Sequence, residues 1–236
     1  MGLNKAKGNM YSFITHTWNP VKGRCGFGCS YCYVRRMCNN RLKIVQREPY
    51  FDEKVLRSFS VRHGYVFVCS STDLFHDDVP SEWIEQIKGL TENNPAFHNR
   101  YLWHSKNPER VLEFQARFQE QDILCVTIET NRCYELSKAP HPVKRFNALY
   151  RWKKPWMLTI EPILDFDKDD FIALINATGN IPVQINIGAD SGGNKLPEPS
   201  REKIEELIEL LAPHTTIHLK KNLRRILPES RYYGNH

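Results

Sequence analysis

No run of the 236 residues comes near the ~18 uninterrupted apolar positions that a membrane-spanning helix needs, which excludes a chain that crosses a bilayer by helices. The opening stretch, Met1 to Gly8, has no apolar segment of signal-peptide type, and Ala6 stands where a myristoylation motif favours Ser or Thr. A cytoplasmic location with no membrane partner is the expectation. Low-complexity linkers and alignable repeats are missing as well. Nothing therefore divides the chain, and its length suits a single domain over residues 1–236 with a basic C-terminal tail. An even set of cysteines is also absent: there are seven, and Cys69 and Cys125 fall in apolar strand-like runs where cysteine is a small buried hydrophobe. Disulfides are not the theme, and Cys38 and Cys133 read as ordinary free thiols. A strong charge of one sign is lacking too, at +6 net. The basic pairs Arg35-Arg36, Lys153-Lys154, Lys220-Lys221 and Arg224-Arg225 either hold phosphate or nucleic acid or merely solvate the surface.

What the chain does have is a concentration of thiols. Cys25, Cys29 and Cys32 form a Cys-x-x-x-Cys-x-x-Cys run, with Gly26 and Gly28 between them to let the backbone curl. Thiolates are soft ligands that suit zinc or an iron-sulfur cluster. A structural zinc closes four positions, and this loop offers three thiols with no obvious local fourth, unless Cys38 or His16 supplies it. A 4Fe-4S cluster held by three cysteines keeps one iron open to an outside ligand. The two readings are a cluster with an open iron and a small zinc knuckle in a nucleic-acid-binding protein.

Along the chain, Tyr11 to His16 alternates like a first strand and leads into the cysteine loop, with a short helix expected over Val34 to Leu42. Gly64 to Ser71 is an apolar run of buried-strand length. Pro80 opens a helix whose face carries Trp83, Ile84, Ile87 and Leu90. Tyr101 to His104 is a strand, Asn107-Pro108 caps a helix lined by Val111, Phe114 and Phe118, and Ile123 to Glu129 is a strand again. A helix over Pro142 to Arg151, a strand over Trp156 to Ile160, a helix over Asp167 to Ala177 and a strand over Val183 to Ile187 follow. Asp190 to Asn194 is a turn, Ile204, Leu207, Ile208 and Leu211 mark the clearest helix, and Thr215 to Leu219 is the last strand. Strands and helices alternate about seven times, the pattern of a parallel α/β barrel or open barrel. Chemistry in such barrels gathers at the C-terminal ends of the strands. Those ends carry His16, Thr72-Asp73, His104-Ser105-Lys106, Glu129, Glu161, Asp190 and Lys220. Each alone could be a strand terminator or helix cap. Their recurrence on one rim, beside the cysteines, favours a common site.

The cysteine spacing, with Tyr31 before the last thiol, resembles the radical SAM superfamily. Trp18-Asn-Pro-Val21, Ser71 to Pro80, Lys106 to Arg110, Thr127 to Glu129, Glu161 to Leu164 and Gly188 to Gly192 further resemble, in order, the segments of a radical SAM-like branch from phages and prophages. The gap between Cys25 and Cys29 is tighter than in many members of that branch. The resemblance implies a single-domain parallel partial (β/α) barrel of the radical SAM type with about six or seven strands. It implies an enzyme in which a 4Fe-4S cluster on Cys25, Cys29 and Cys32, fed by an external one-electron reductant, cleaves S-adenosylmethionine. The resulting 5′-deoxyadenosyl radical takes hydrogen from a substrate, for which a nucleotide or nucleic acid is the natural expectation. By the same resemblance Tyr31 lies near the adenine, Ser71, Thr72 and Asp73 meet the methionine amine, Glu129 reaches the ribose and Gly188 lets backbone approach the adenine. Lys106, Glu161, Cys38 and Lys220 receive no role.

Overall fold

Residues 3–7, 10–36, 48–56, 62–92 and 98–233 are described by a computed structural model of the chain. Its strands are β1 (Leu3–Lys5), β2 (His16–Trp18), β3 (Val21–Lys22), β4 (Tyr50–Phe51), β5 (Tyr65–Val68), β6 (Arg100–Ser105), β7 (Asp122–Thr127), β8 (Trp156–Ile160), β9 (Gln184–Ile187) and β10 (Thr216–Leu219). The helices are α1 (Glu53–Leu56), α2 (Ser81–Glu92), α3 (Pro108–Glu113), α4 (Pro142–Arg151), α5 (Lys168–Ala177) and α6 (Arg201–Leu211). Eight strands form one open sheet in the order β1-β2-β5-β6-β7-β8-β9-β10. From β2 to β10 every pairing is parallel, and β1 adds an antiparallel edge. The expected partial (β/α) barrel is what forms, with the antiparallel edge strand as an addition that the sequence did not announce. No helix among the described residues is long and apolar enough to cross a membrane.

Side chains alternate across a strand, so each strand feeds two cores. Val66 and Val68, Tyr101 and Trp103, Leu124 and Val126, Trp156, Leu158 and Ile160, and Ile185 and Ile187 face the helices in the large core. The intervening Phe67, Leu102, Cys125 and Met157 form a smaller inner cluster. Because both faces are covered, these strands read as continuous apolar runs.

Two expectations need correction. Tyr11 to His16 is not a strand: Tyr11 to Ile14 closes a turn (Ile14 N to Tyr11 O, 3.0 Å), and Tyr11 and Ile14 join the inner cluster. A plug of alternating apolar residues has the same signature as a half-buried strand. The strand starts at His16, so His16 stands away from the C-terminal rim. On α2, Leu90 is 40% exposed, and the buried face is Ile84, Ile87, Lys88 and Thr91. Lys88 is tolerated there because Asp122 pairs with it at 2.5 Å and the rings of Trp103 and Phe118 flank its ammonium. Of the helix expected over Val34 to Leu42, residues 33–36 are helical and 37–42 lie outside the described residues.

Candidate functional site

The C-terminal ends of the strands surround a cavity of about 520 Å³. Its wall includes Cys25, Cys29, Tyr31 and Cys32 from the cysteine loop, Ser71, Thr72 and Asp73 after β5, and His104, Ser105 and Lys106 at the end of β6. Thr127, Glu161, Asp190 and Lys220 complete the far side, with Tyr11, Phe27 and Phe67 as apolar lining. Seven of the nine expected site residues therefore meet at one cavity. Lys106, Glu161 and Lys220, which had no expected role, line it too.

The cysteine loop is pinned from several sides. Gly28 adopts a left-handed φ of 56°, which turns the chain between the first two thiols, and its amide reaches back to the Cys25 carbonyl at 3.3 Å. Ser30 N donates to Leu136 O at 2.9 Å and Lys138 N to Phe27 O at 2.8 Å, while Arg35 caps the Gly28 and Cys29 carbonyls. Backbone amides of Asp73 and Phe27 donate to the Cys25 sulfur, although burial, and then the Asp73 charge, push its thiol up to about 12. Among the described residues, no three His, Cys, Asp or Glu side chains are grouped as a ready metal site. The chemistry of the donor set nonetheless fits a thiophilic metal: three thiols line one cavity, and one of them already receives amide hydrogen bonds. Of the residues considered as a fourth zinc ligand, His16 is not on this wall and Cys38 lies outside the described residues.

The Ser71 to Asp73 loop is equally fixed. Asn19 Oδ1 accepts from the Ser70 hydroxyl and from both the amide and the hydroxyl of Ser71, each at 3.2 Å. Thr72 donates to the Gly23 carbonyl at 3.0 Å. The Asp73 carboxylate accepts from Ser105 Oγ and Lys106 N, both at 2.8 Å, and from Phe75 N at 3.0 Å. Burial raises its pKa against those donors. Asp73 thus ties the end of β5 to the end of β6.

Glu129 and Gly188 do not face the cavity directly. Glu129 lies buried behind it, where Oε1 accepts from Tyr31 and from the Lys106 ammonium and Oε2 accepts from Arg145 at 2.8 Å. Burial would push this carboxyl up, but Lys106 and Arg145 overcome it and bring it down to about 2. The same surroundings raise the Tyr31 hydroxyl, first by burial and then by the Glu129 charge. At Gly188 the space a Cβ would need is taken by Glu161, whose Oε1 would stand 2.7 Å from it. Glu161 in turn accepts from Lys220 Nζ at 2.6 Å and Asn222 Nδ2 at 2.8 Å.

His104 is bonded to Thr127 Oγ1 at 2.5 Å and held neutral, down to about 3, by burial first and then by the charges of Lys106 and Lys220. Beside it the Tyr11 hydroxyl meets Thr159 Oγ1 at 2.7 Å, and Lys220 Nζ lies 4.8 Å from the Tyr11 ring centre. Arg145 and Tyr11 were not singled out by the sequence. Arg145 sits on a helix and Tyr11 in the apolar plug, so no strand-end rule reaches either.

The basic pairs are mostly spent on internal partners. Lys220 is only 8% exposed and bound to Glu161, Arg225 pairs with Glu198 at 2.6 Å, and Arg224 stacks on Tyr233. Lys154 caps the Phe118 carbonyl.

The family described as "Protein of unknown function (DUF5131)" matches residues 9–176. No curated protein matches the chain. Among solved structures, a mutant of spore photoproduct lyase with bound AdoMet and dinucleoside spore photoproduct superposes with a TM-score of 0.55 at 11% identity, covering 88% of this chain and 64% of that one. Spore photoproduct lyase complexed with dinucleoside spore photoproduct gives 0.54 at 11% identity, with the same coverage of 88% and 64%. A further mutant of that enzyme gives 0.55 at 12% identity over 90% of this chain and 65% of its own. At such identity the likeness is one of fold, and the chain spans about 64% of the length of the solved protein.

Proposed function

We propose that this chain, which belongs to the DUF5131 family, is a radical SAM enzyme. In this reading Cys25, Cys29 and Cys32 hold a 4Fe-4S cluster, S-adenosylmethionine occupies the adjoining cavity, and the substrate is a nucleotide or nucleic acid. The observation that carries it is the meeting of three thiols, the Ser71 to Asp73 loop, Lys106 and Lys220 at one strand-end cavity. The fold is shared with an enzyme solved with AdoMet and dinucleoside spore photoproduct, which supports both the cofactor and the substrate class. Kinship with the phage branch belongs to the same reading and rests on the segments between Trp18 and Gly192.

When bound, the cluster and cofactor together supply the electron transfer and hydrogen abstraction, with an external reductant as the electron source. The chain's own residues bind, orient and exclude water. Asp73 spends its oxygens on Ser105, Lys106 and Phe75, so its role is to shape the loop that would meet the methionine amine. Glu129 reaches a ribose only by exchanging Tyr31 or Lys106 for the sugar hydroxyls, since both now occupy its Oε1. Lys106, once released, is a cation for the methionine carboxylate. On the far side Glu161 and Lys220 offer an acceptor and a donor to the substrate. Phe27, Phe67 and Tyr11 keep the space between dry.

Anaerobic purification and reconstitution test this. The expected protein is brown, contains iron and sulfide, and converts S-adenosylmethionine to 5′-deoxyadenosine and methionine under a strong reductant. A colourless protein carrying stoichiometric zinc would replace this reading with the zinc-stabilised nucleic-acid-binding one.

A further inference from the structure

Gly26 sits between Cys25 and Phe27, and its φ does not call for glycine. The reason for glycine is a neighbour: a Cβ there would overlap Cε1 and Nε2 of His76 and would come within 2.6 Å of Asp78 Oδ2. An imidazole edge is thus pressed against the backbone of the cysteine loop, one residue from the first thiol. The ring is held on its other sides too, edge-on to Phe27 at 4.4 Å between centres.

The proton on that edge follows from the opposite nitrogen. Asp78 N donates to His76 Nδ1 at 3.0 Å, which requires a lone pair on Nδ1 and leaves the hydrogen on Nε2. Were the ring charged instead, Nδ1–H would face Asp78 Oδ2, 3.3 Å away, and Nε2 would still carry a hydrogen. In either state the nitrogen turned toward the cysteine loop is a donor. The turn that carries His76 begins at Asp73, whose amide already donates to the Cys25 sulfur.

We infer that His76 is a positioning residue for the metal group of the cysteine loop: its Nε2–H and the Asp73 amide form a donor shell that stabilises negative charge on the sulfurs. The inference rests on the cluster reading above. Hydrogen bonds to sulfur ligands are one of the levers that set an iron-sulfur potential, because they stabilise the more negative, reduced state. His76 packs against the loop from behind Phe27 and does not itself line the cavity, so its effect runs through the sulfurs rather than through substrate.

The test is the midpoint potential of the reconstituted cluster, read by spectroelectrochemistry beside iron and sulfide content. His76→Phe keeps a ring of similar shape and removes the donor. It should retain the cluster and lower the reduced-to-oxidised ratio at the wild-type midpoint by about tenfold, which is 59 mV for a one-electron couple. His76→Gln, which keeps an N–H, should recover most of that shift, and Gly26→Ala, which displaces the ring, should reproduce it. An unchanged potential in His76→Phe with full iron would overturn the inference and leave the cluster reading intact. Loss of iron in both His76→Phe and His76→Gln would also overturn it, since the ring would then be a structural prop. A wild-type protein that takes up no iron removes both readings.

Discussion

The Tyr31 hydroxyl donates to the Glu129 carboxylate across 98 residues of sequence, fastening the cysteine loop to the end of β7. Lys106 and Arg145 complete the arrangement, so one buried carboxylate is shared by the loop, the end of β6 and α4. The site is held together by charge at its centre.

Removing that centre should be costly. Glu129→Ala leaves Lys106 and Arg145 without their counter-charge, and breaking such a buried pair costs about 3–5 kcal/mol. Tyr31→Phe removes one hydrogen bond to a charged group, about 1.5–3 kcal/mol. Urea unfolding of the two variants checks both, and equal, negligible losses would mean that the loop is not fastened here.

The pH dependence of stability has a definite sign. Glu129 is held down to about 2 from an ordinary 4.5, so the folded protein keeps the carboxylate charged where the unfolded chain would protonate it. Its contribution is complete above about 4.5 and is lost as pH falls toward about 2. His104, lowered from 6.5 to about 3, adds a term of the same sign that fades as pH falls from 6.5 toward 3. In an NMR titration the His104 ring should stay neutral down to pH about 4, and Lys220→Ala should move its titration upward. Titration of His104 near 6.5 in the wild type would show that the ring is neither buried nor faced by the lysines.

Iron content separates the thiols. Cys25→Ala, Cys29→Ala and Cys32→Ala should each abolish the cluster. Cys69→Ala and Cys125→Ala should spare it, since one thiol hydrogen-bonds inside the fold near Val21 and the other meets Thr159 at 3.1 Å. Exposed Cys133 should be replaceable without effect. A variant at Cys38 that loses iron would give the loop a fourth ligand and remove the open iron.

How much of this the sequence disclosed depends on whether a residue's job is local. The strand over Trp156 to Ile160 and the helix over Pro142 to Arg151 appear where apolar period and the helix-starting proline put them, because both signals act within a few residues. The rim residues Asp73 and Lys106 were legible because strand ends in a parallel sheet share one side. The Tyr11 to Ile14 plug misleads because its apolar alternation is that of a strand. Lys88 was invisible as a core residue because its partner Asp122 and the rings that flank it arrive from distant segments. Arg145 escaped for the same reason, its partner Glu129 being on another element.

The last prediction concerns how an anionic substrate would be felt. A basic tail at 220–225 would suggest many phosphate contacts, but Lys220 is bound to Glu161, Arg225 to Glu198 and Arg224 to the Tyr233 ring. The cations that remain within reach of phosphate at the cavity are exposed Lys7 on its wall and Lys220, which an anion meets only in competition with Glu161. With one or two contacts, counterion release predicts that nucleotide or DNA affinity falls only about 3- to 12-fold between 50 and 200 mM salt, against a thousandfold or more for about six contacts. Lys220→Ala should weaken binding by more than the loss of one contact, because it also exposes the Glu161 carboxylate to the anion. Lys221→Ala and Arg224→Ala should be near neutral. Binding of mononucleotides and of single- and double-stranded DNA, measured at the two salt concentrations for wild type and these variants, decides it. A steep slope, or a strong loss with Lys221→Ala or Arg224→Ala, would restore the tail as a phosphate surface. No binding by the wild type at either salt would turn the search toward peptides and uncharged metabolites.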